Sequence, residues 1–233
     1  MAWAGLARRE LAASAPSESI PGAPARPGSI TLARHGVPAL SRRVRLTAAG
    51  YRDWWALYEE GGLKSDQAAP ESLRKVARRA GVIIASTRPR SVQTARAVAE
   101  DMAFSQEPLL IEAPLPPPNL PAWLKLSPRL WGVVARFGWW FFDHHQGEES
   151  RSQAQARADV VAVRLIELSS LGEEVLVVAH GFFNTMVGRA LRRHGWRCTY
   201  DGGFRYWSAR RFEAAIVRQP PPPITLPRGG RVG

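Results

Sequence analysis

The sequence predicts an α/β domain, a three-layer α/β/α sandwich around a mostly parallel central sheet. Three observations predict it. Short apolar runs rich in Val, Ile and Leu recur along the chain, as strands buried on both faces require. Stretches with apolar residues at helical spacing separate those runs. The two signals alternate from about residue 29 to residue 218, which is the pattern of a layered α/β domain. With 233 residues, 45% hydrophobic and 22% charged, the chain can bury a substantial core within a single domain of ordinary size.

Residues 1–28 are rich in Ala, Pro, Ser and Gly without sustained periodicity and read as a mobile leader. Arg8, Arg9 and Glu10 interrupt the apolar run a signal peptide needs. The first strand is "SITLAR" (29–34). "LTAAGYRDWWALYEE" (46–60) is helical, with Thr47 placed to cap it and Tyr51, Trp54, Trp55 and Tyr58 sharing one face. The strand "GVIIAST" (81–87), the helix "RSVQTARAVAEDM" (90–102) and a third strand in "PLLIEA" (108–113) follow.

Pro114 to Asp143 breaks this alternation. "PLPPPNLP" is followed by Trp123, Trp131, Phe137, Trp139, Trp140, Phe141 and Phe142. We read an inserted helical cap, about 114–145, packing on the core; a substrate-sorting lid and a partner or membrane surface are the alternatives. "SRSQAQARADVVAVRLIELSSLG" (150–172) is a helix closed by Gly172, "EVLVVAH" (174–180) a strand and "FFNTMVGRALRRHG" (182–195) a helix. A last strand lies within "FRYWSARRFEAAIV" (204–217), and 219–233 is a proline-rich tail of extended chain.

The formal net charge of +12 suits nucleic acid, an anionic membrane or a phosphorylated substrate. The basic residues are spread rather than bunched, the pattern of charge solvated on a surface, and no nucleic-acid-binding module accompanies them. No run of 18 apolar residues exists, so no membrane span is expected; "LWGVVARFGWWFF" (130–142) is short and broken by Arg136. The single cysteine, Cys198, rules out an intramolecular disulfide and fits a reduced, cytoplasmic location. His144 and His145 stand beside Asp143 and Glu148, but neighbouring side chains diverge, so they read as a loop surface and not as a metal site.

In an open α/β sheet, ligands sit beyond the carboxyl ends of the strands. Those predicted ends carry Arg34-His35-Gly36, Ser86 to Arg90, Glu112 and His180-Gly181. Any one of these is weak evidence; together they suit phosphoryl transfer. Arginine forks bind phosphate oxygens, an imidazole nitrogen can take the phosphoryl group, and a carboxylic acid can protonate the leaving oxygen. A helix opening just after His180 directs its first amides at the same anion.

The ordered set "LARHG", "LTAAG", "STRPRSVQTA", "LIEAPLP", "GEESRSQAQAR" and "VVAHG" resembles the histidine phosphatase superfamily, with its phosphoglycerate mutase-like fold, over about residues 29–190. The resemblance implies that His35 is the nucleophile that becomes phosphorylated and Arg34 the adjoining phosphate clamp. It implies that Arg90 is the catalytic arginine, with Arg88 an extra cation, that Glu112 is the proton donor and that His180 is the second histidine of the phosphate pocket. Gly181 is placed to offer a backbone amide. Ser41 stands where many members carry Asn, as a shorter phosphate contact.

The implied activity is metal-independent hydrolysis of a phosphomonoester through phosphohistidine, without a cofactor. The implied partner is a small phosphorylated substrate, a phosphoprotein being admitted too, with no specific nucleic acid. Oligomeric state is left open. A phosphoglycerate mutase-like phosphotransferase is the close alternative, and "VPALS" after Arg-His-Gly reads unlike one. A non-catalytic binding protein on the same scaffold is the third reading. "APLPPP" departs from the residues that commonly follow the acid, which leaves the cap and substrate open.

Overall fold

The computed structural model describes residues 26–215. The expected proline-rich tail, and all but the last three residues of the expected leader, lie outside them. Six strands form a single sheet in the order β3-β2-β4-β1-β6-β5. They are β1 (Ile30–Arg34), β2 (Val82–Ser86), β3 (Ser105–Glu107), β4 (Val175–Ala179), β5 (Trp196–Asp201) and β6 (Ala209–Ala214). The first four run parallel, β6 pairs antiparallel with β1, and β5 pairs antiparallel with β6. The fold class is therefore the expected one: an α/β sandwich with a mostly parallel sheet.

Strand alternation explains why the central runs are apolar throughout. On β4, Val175, Val177 and Ala179 join one core with Ile30, Leu32 and Ile84, while Leu176 and Val178 join the opposite core with Ala33, Ile83 and Ala85. Helices α5 (Arg151–Ser170) and α6 (Gly181–Arg193) cover the first face, through Ala158, Val161, Leu165, Phe183 and Val187. Helices α2 (Glu71–Arg79) and α3 (Pro89–Ala99) cover the second, through Leu73, Ala77, Ala95 and Val98.

Two further helices build the cap. α1 (Ala48–Glu60) begins where Thr47 accepts a hydrogen bond from the Gly50 amide, and it buries Tyr51, Trp54 and Tyr58. α4 (Pro128–Phe142) is capped by Ser127, with Pro128 in its first turn, and buries Trp131, Ala135, Gly138 and Trp139, one stripe at helical spacing. Tyr51 stacks on Trp54 and Trp131, so the two helices close a separate aromatic core. The aromatic segment thus contains the expected helix and packs on the domain. Its other stripe stays outside, with Phe137, Phe141 and Phe142 between 55% and 74% exposed.

Three elements differ from expectation. "PLLIEA" is not a strand: Pro108 has no amide to donate to a ladder, and the Glu107 carboxylate accepts from the Leu109 amide. The chain accordingly turns through a 3₁₀ segment, Pro108–Leu110, and the edge strand is the preceding β3, paired with Ile84–Ser86. Helix α2 was not anticipated: its apolar residues keep helical spacing, but the stretch is only nine residues long and mostly charged, with just Leu73 and Ala77 buried. Strand β5 was missed for another reason: it is an edge strand with four exposed residues and a register shift between Cys198 and Tyr200.

Candidate active site

The parallel strands deliver their ends to one edge of the sheet, and β1 and β4 place His35 and His180 there side by side. The His35 amide bonds the Ala179 carbonyl at 3.0 Å, and the two imidazoles meet edge to face with centroids 5.3 Å apart. Both are buried.

The ring nitrogens are distinguishable by their partners. His35 lies 2.7 Å through Nδ1 from the Gly36 carbonyl oxygen, which can only accept, so Nδ1 carries the proton and Nε2 the lone pair. His180 has the opposite tautomer. Arg90 Nη2 donates to its Nδ1 at 3.3 Å, and its Nε2 donates to the Ser86 hydroxyl at 2.9 Å. Burial, reinforced by Arg90 and Arg34, holds His35 well below 6.5; burial, Arg90 and the neighbouring His35 do the same for His180. Both rings are neutral at physiological pH.

Arg90 is fully buried on α3, with its guanidinium already engaged. Nη1 donates to the Tyr58 carbonyl at 2.8 Å, Nη2 to Glu59 Oε1 at 2.6 Å, and the guanidinium lies 4.5 Å from the Tyr58 ring centroid. Glu59 also pairs with Arg88 at 2.7 Å and so anchors both cations to the end of α1. Arg90 Nε is buried without a partner among the protein atoms, as are Arg34 Nε and Arg42 Nε. These orphaned donors fit an anion with several acceptor oxygens.

Arg34 lies across Gly181. A Cβ built on that glycine comes within 3.1 Å of Arg34 Nε, so a side chain there forces the guanidinium to shift. Arg34 also donates to the Phe204 carbonyl and sits 4.4 Å from the Tyr206 ring centroid. Tyr206 in turn lies against His35, with centroids 5.6 Å apart, and accepts from Arg42 Nη1 at 2.8 Å. The β5–β6 loop therefore covers His35.

Glu112 is held differently from expectation. Its carboxylate accepts from the amides of Phe182 and Phe183 at 3.2 and 2.8 Å, so it fills the N-terminus of α6 itself. The segment that carries it is pinned by Arg157 of α5, which donates to the Leu109 and Ile111 carbonyls at 2.6 and 3.0 Å and pairs with Glu149. Arg136 of α4 holds the other side through the Ala113 and Pro114 carbonyls. Burial pulls Arg136 down to about 10, with the Glu112 charge opposing.

Of the residues predicted from sequence, Arg34, His35, Arg90 and His180 meet at this edge, and Glu112 and Gly181 line a cavity that also contains Arg34. Ser41 does not join them. It is exposed, its hydroxyl accepts from the Arg43 amide, and its carbonyl accepts from the Trp54 indole. Its neighbour Arg42 lines the cavity instead. Sequence reasoning missed Arg42, Glu59 and Tyr206, which reach the site from a loop, a helix end and the β5–β6 turn. No motif marks them. Among the described residues, no group of three or more His, Cys, Asp or Glu side chains is placed to hold a metal.

Fold and site together define an α/β protein with two neutral histidines in an arginine-rich pocket at the strand ends. The histidine phosphatase superfamily (branch 1) model matches residues 30–199, and the chain belongs to that family. Among solved structures, a mycobacterial glucosyl-3-phosphoglycerate phosphatase aligns at 19% identity and TM-score 0.52, covering 79% of this chain and 92% of that one. A phosphoserine phosphatase from Entamoeba histolytica aligns at 13% identity and TM-score 0.49, covering 79% and 89%. A phosphoglycerate mutase from Bacillus anthracis aligns at 16% identity and TM-score 0.46, covering 82% and 90%. At these identities the likeness is one of fold. The search of curated proteins returned no match.

Proposed function

We propose that the protein is a metal-independent phosphatase that hydrolyses a phosphomonoester through a phosphohistidine on His35. The observation that carries this reading is the state of His35. It is a neutral imidazole whose Nδ1 proton is committed to Gly36 O, which leaves the Nε2 lone pair for attack, with Arg90 and Arg34 close enough to depress its basicity.

In the first step Nε2 attacks phosphorus, an N–P bond forms and the ester P–O bond breaks. Glu112, in its acid form, gives its proton to the departing alkoxide. Arg34 and Arg90, through donors the protein leaves unpaired, spread positive charge over the transferring oxygens. His180 stands beside them, fixed by Ser86 and Arg90. In the second step Glu112 takes a proton from water, the water oxygen bonds to phosphorus as the N–P bond breaks, and inorganic phosphate leaves with the Nε2 lone pair of His35 restored. The name of the mycobacterial phosphatase that shares the fold agrees with phosphomonoester hydrolysis.

The test is turnover of a simple aryl phosphate by wild type and His35→Ala, each with a chelator present. Turnover is expected to survive chelation and to fall by about a thousandfold or more in the variant. Equal turnover by the two proteins overturns the phosphohistidine mechanism.

A further inference from the structure

Resting on the phosphatase reading, we infer that the substrate is a phosphomonoester with an extended apolar body, an alkyl, prenyl or aryl phosphate, and not a sugar phosphate or a phosphoamino acid. A cavity of about 630 Å³ is lined by Arg34, Glu112 and Gly181 together with the outer stripe of α4. Val133, Phe137, Trp140 and Phe141 of α4 form one wall, and Phe182 and Phe204 face the same space. Its side chains include arginines and Glu112, but no Ser, Thr, Asn, Gln or Asp.

That composition excludes some bodies and favours others. A sugar's hydroxyls and an amino acid's ammonium group lose water on entry and need hydrogen-bond acceptors in return, whereas arginines only donate. This wall offers such a moiety aromatic faces. Two of the arginines themselves complete apolar surfaces: Arg136 lies 3.7 Å from the Phe182 ring centroid and Arg189 5.4 Å from that of Trp140. Arg136 also spends donors on the backbone of residues 113 and 114.

Charge and exposure agree with this assignment. Five arginines (34, 42, 129, 136 and 189) line the cavity against the single acid Glu112, which suits an anionic head held at Arg34, the neighbour of His35 in the chain. Val133, Phe137 and Phe141 are between 55% and 66% exposed, yet they belong to the same wall. An apolar chain anchored by its phosphate at Arg34 covers them, and the continuity of this wall with the phosphate end identifies a substrate as its occupant.

A series of butyl, hexyl and octyl phosphates, kept below their micelle concentrations, tests this by kcat/KM. Each added methylene that reaches the wall is expected to raise kcat/KM by up to about fourfold. Glycerol phosphate, glucose 6-phosphate and phosphoserine are expected to trail octyl phosphate by about a hundredfold or more. Phe137→Ser and Phe141→Ser should reduce the octyl-to-butyl preference, with thermal unfolding as the check that both variants fold. A flat chain-length series, or sugar phosphates turned over as well as octyl phosphate, overturns the inference.

Calorimetric binding of butyl- and octylphosphonate separates this inference from the reading beneath it. Tighter binding of the longer phosphonate in a protein that turns over no phosphate ester retires the phosphatase and keeps the ligand class. Equal affinity for the two phosphonates overturns the ligand class whatever the turnover. A dimer in sedimentation that Phe137→Ser dissociates assigns the wall to a second copy of the chain, and likewise overturns it.

Discussion

His35 and His180 show how a backbone position and one hydrogen-bond partner set the chemistry of an otherwise ordinary side chain. The Gly36 carbonyl, which only accepts, fixes the His35 proton on Nδ1, and Arg90, which only donates, keeps the His180 proton off Nδ1, so the two neighbouring histidines take opposite tautomers. Their depressed basicity has a measurable consequence for stability. In the unfolded chain both titrate near 6.5, whereas the folded protein resists protonating them. Their contribution is therefore complete above about pH 6.5 and is lost as pH falls through that value towards the depressed ones. Thermal unfolding midpoints should decline between about pH 7 and about pH 5, and less steeply in His35→Ala. The pH–rate profile should run the other way: because His35 stays neutral, kcat/KM for an aryl phosphate should show no loss on the acid side attributable to a group near 6.5. The sequence located His35, His180 and Arg34 because their spacing from strand ends is a local property. It misplaced Ser41, since which residue of a loop turns inward depends on what the loop packs against. Here Ser41 caps its own turn and Arg42 reaches Tyr206.

Among the elements, the extended segment that carries Glu112 owes its position to groups remote in sequence. Arg157, 46 and 48 residues away from the carbonyls it holds, fixes Leu109 and Ile111, while the amides of α6 receive the carboxylate. Arg157 is thus a positioning residue for the proposed proton donor. Arg157→Met is expected to lower kcat for an aryl phosphate by about tenfold to a hundredfold with little change in KM, and Arg157→Lys to recover part of the loss. Unchanged kcat in the Met variant contradicts this role; a parallel loss of kcat and gain of KM indicates a general disturbance of the site. Element prediction succeeded where period and capping were both written in the chain, as in α1 with Thr47 and α5 with its Ser150–Gln153 capping box. It failed at "PLLIEA", where an apolar run resembles a strand until Pro108 and the Glu107 side chain redirect it, and at β5, whose exposed residues show no clean alternation.

Across the whole molecule, the formal charge of +12 accompanies the arginine-rich site proposed to take a phosphate ester. Such a field raises the encounter rate with phosphate esters, and ions in solution screen it over about 10 Å at 0.1 M salt. For a substrate limited by encounter, kcat/KM should fall several-fold as ionic strength rises from about 10 mM to about 150 mM, with kcat nearly unchanged. A salt-independent kcat/KM assigns the charge to surface solvation alone. No helix of the described residues, α4 included, is long and apolar enough to cross a membrane. The sequence by itself determined the α/β class, the order of the principal elements and the Arg-His-Gly, arginine and second-histidine positions. Apolar period, capping residues and strand-end location are local and survive in one dimension. Only the tertiary structure decided that Tyr206 covers His35, that Glu59 joins Arg88 to Arg90, that Glu112 occupies the α6 terminus, and that Phe137, Trp140 and Phe141 of the aromatic segment line a cavity. Those facts depend on contacts between residues distant in the chain, which packing selects and periodicity does not record.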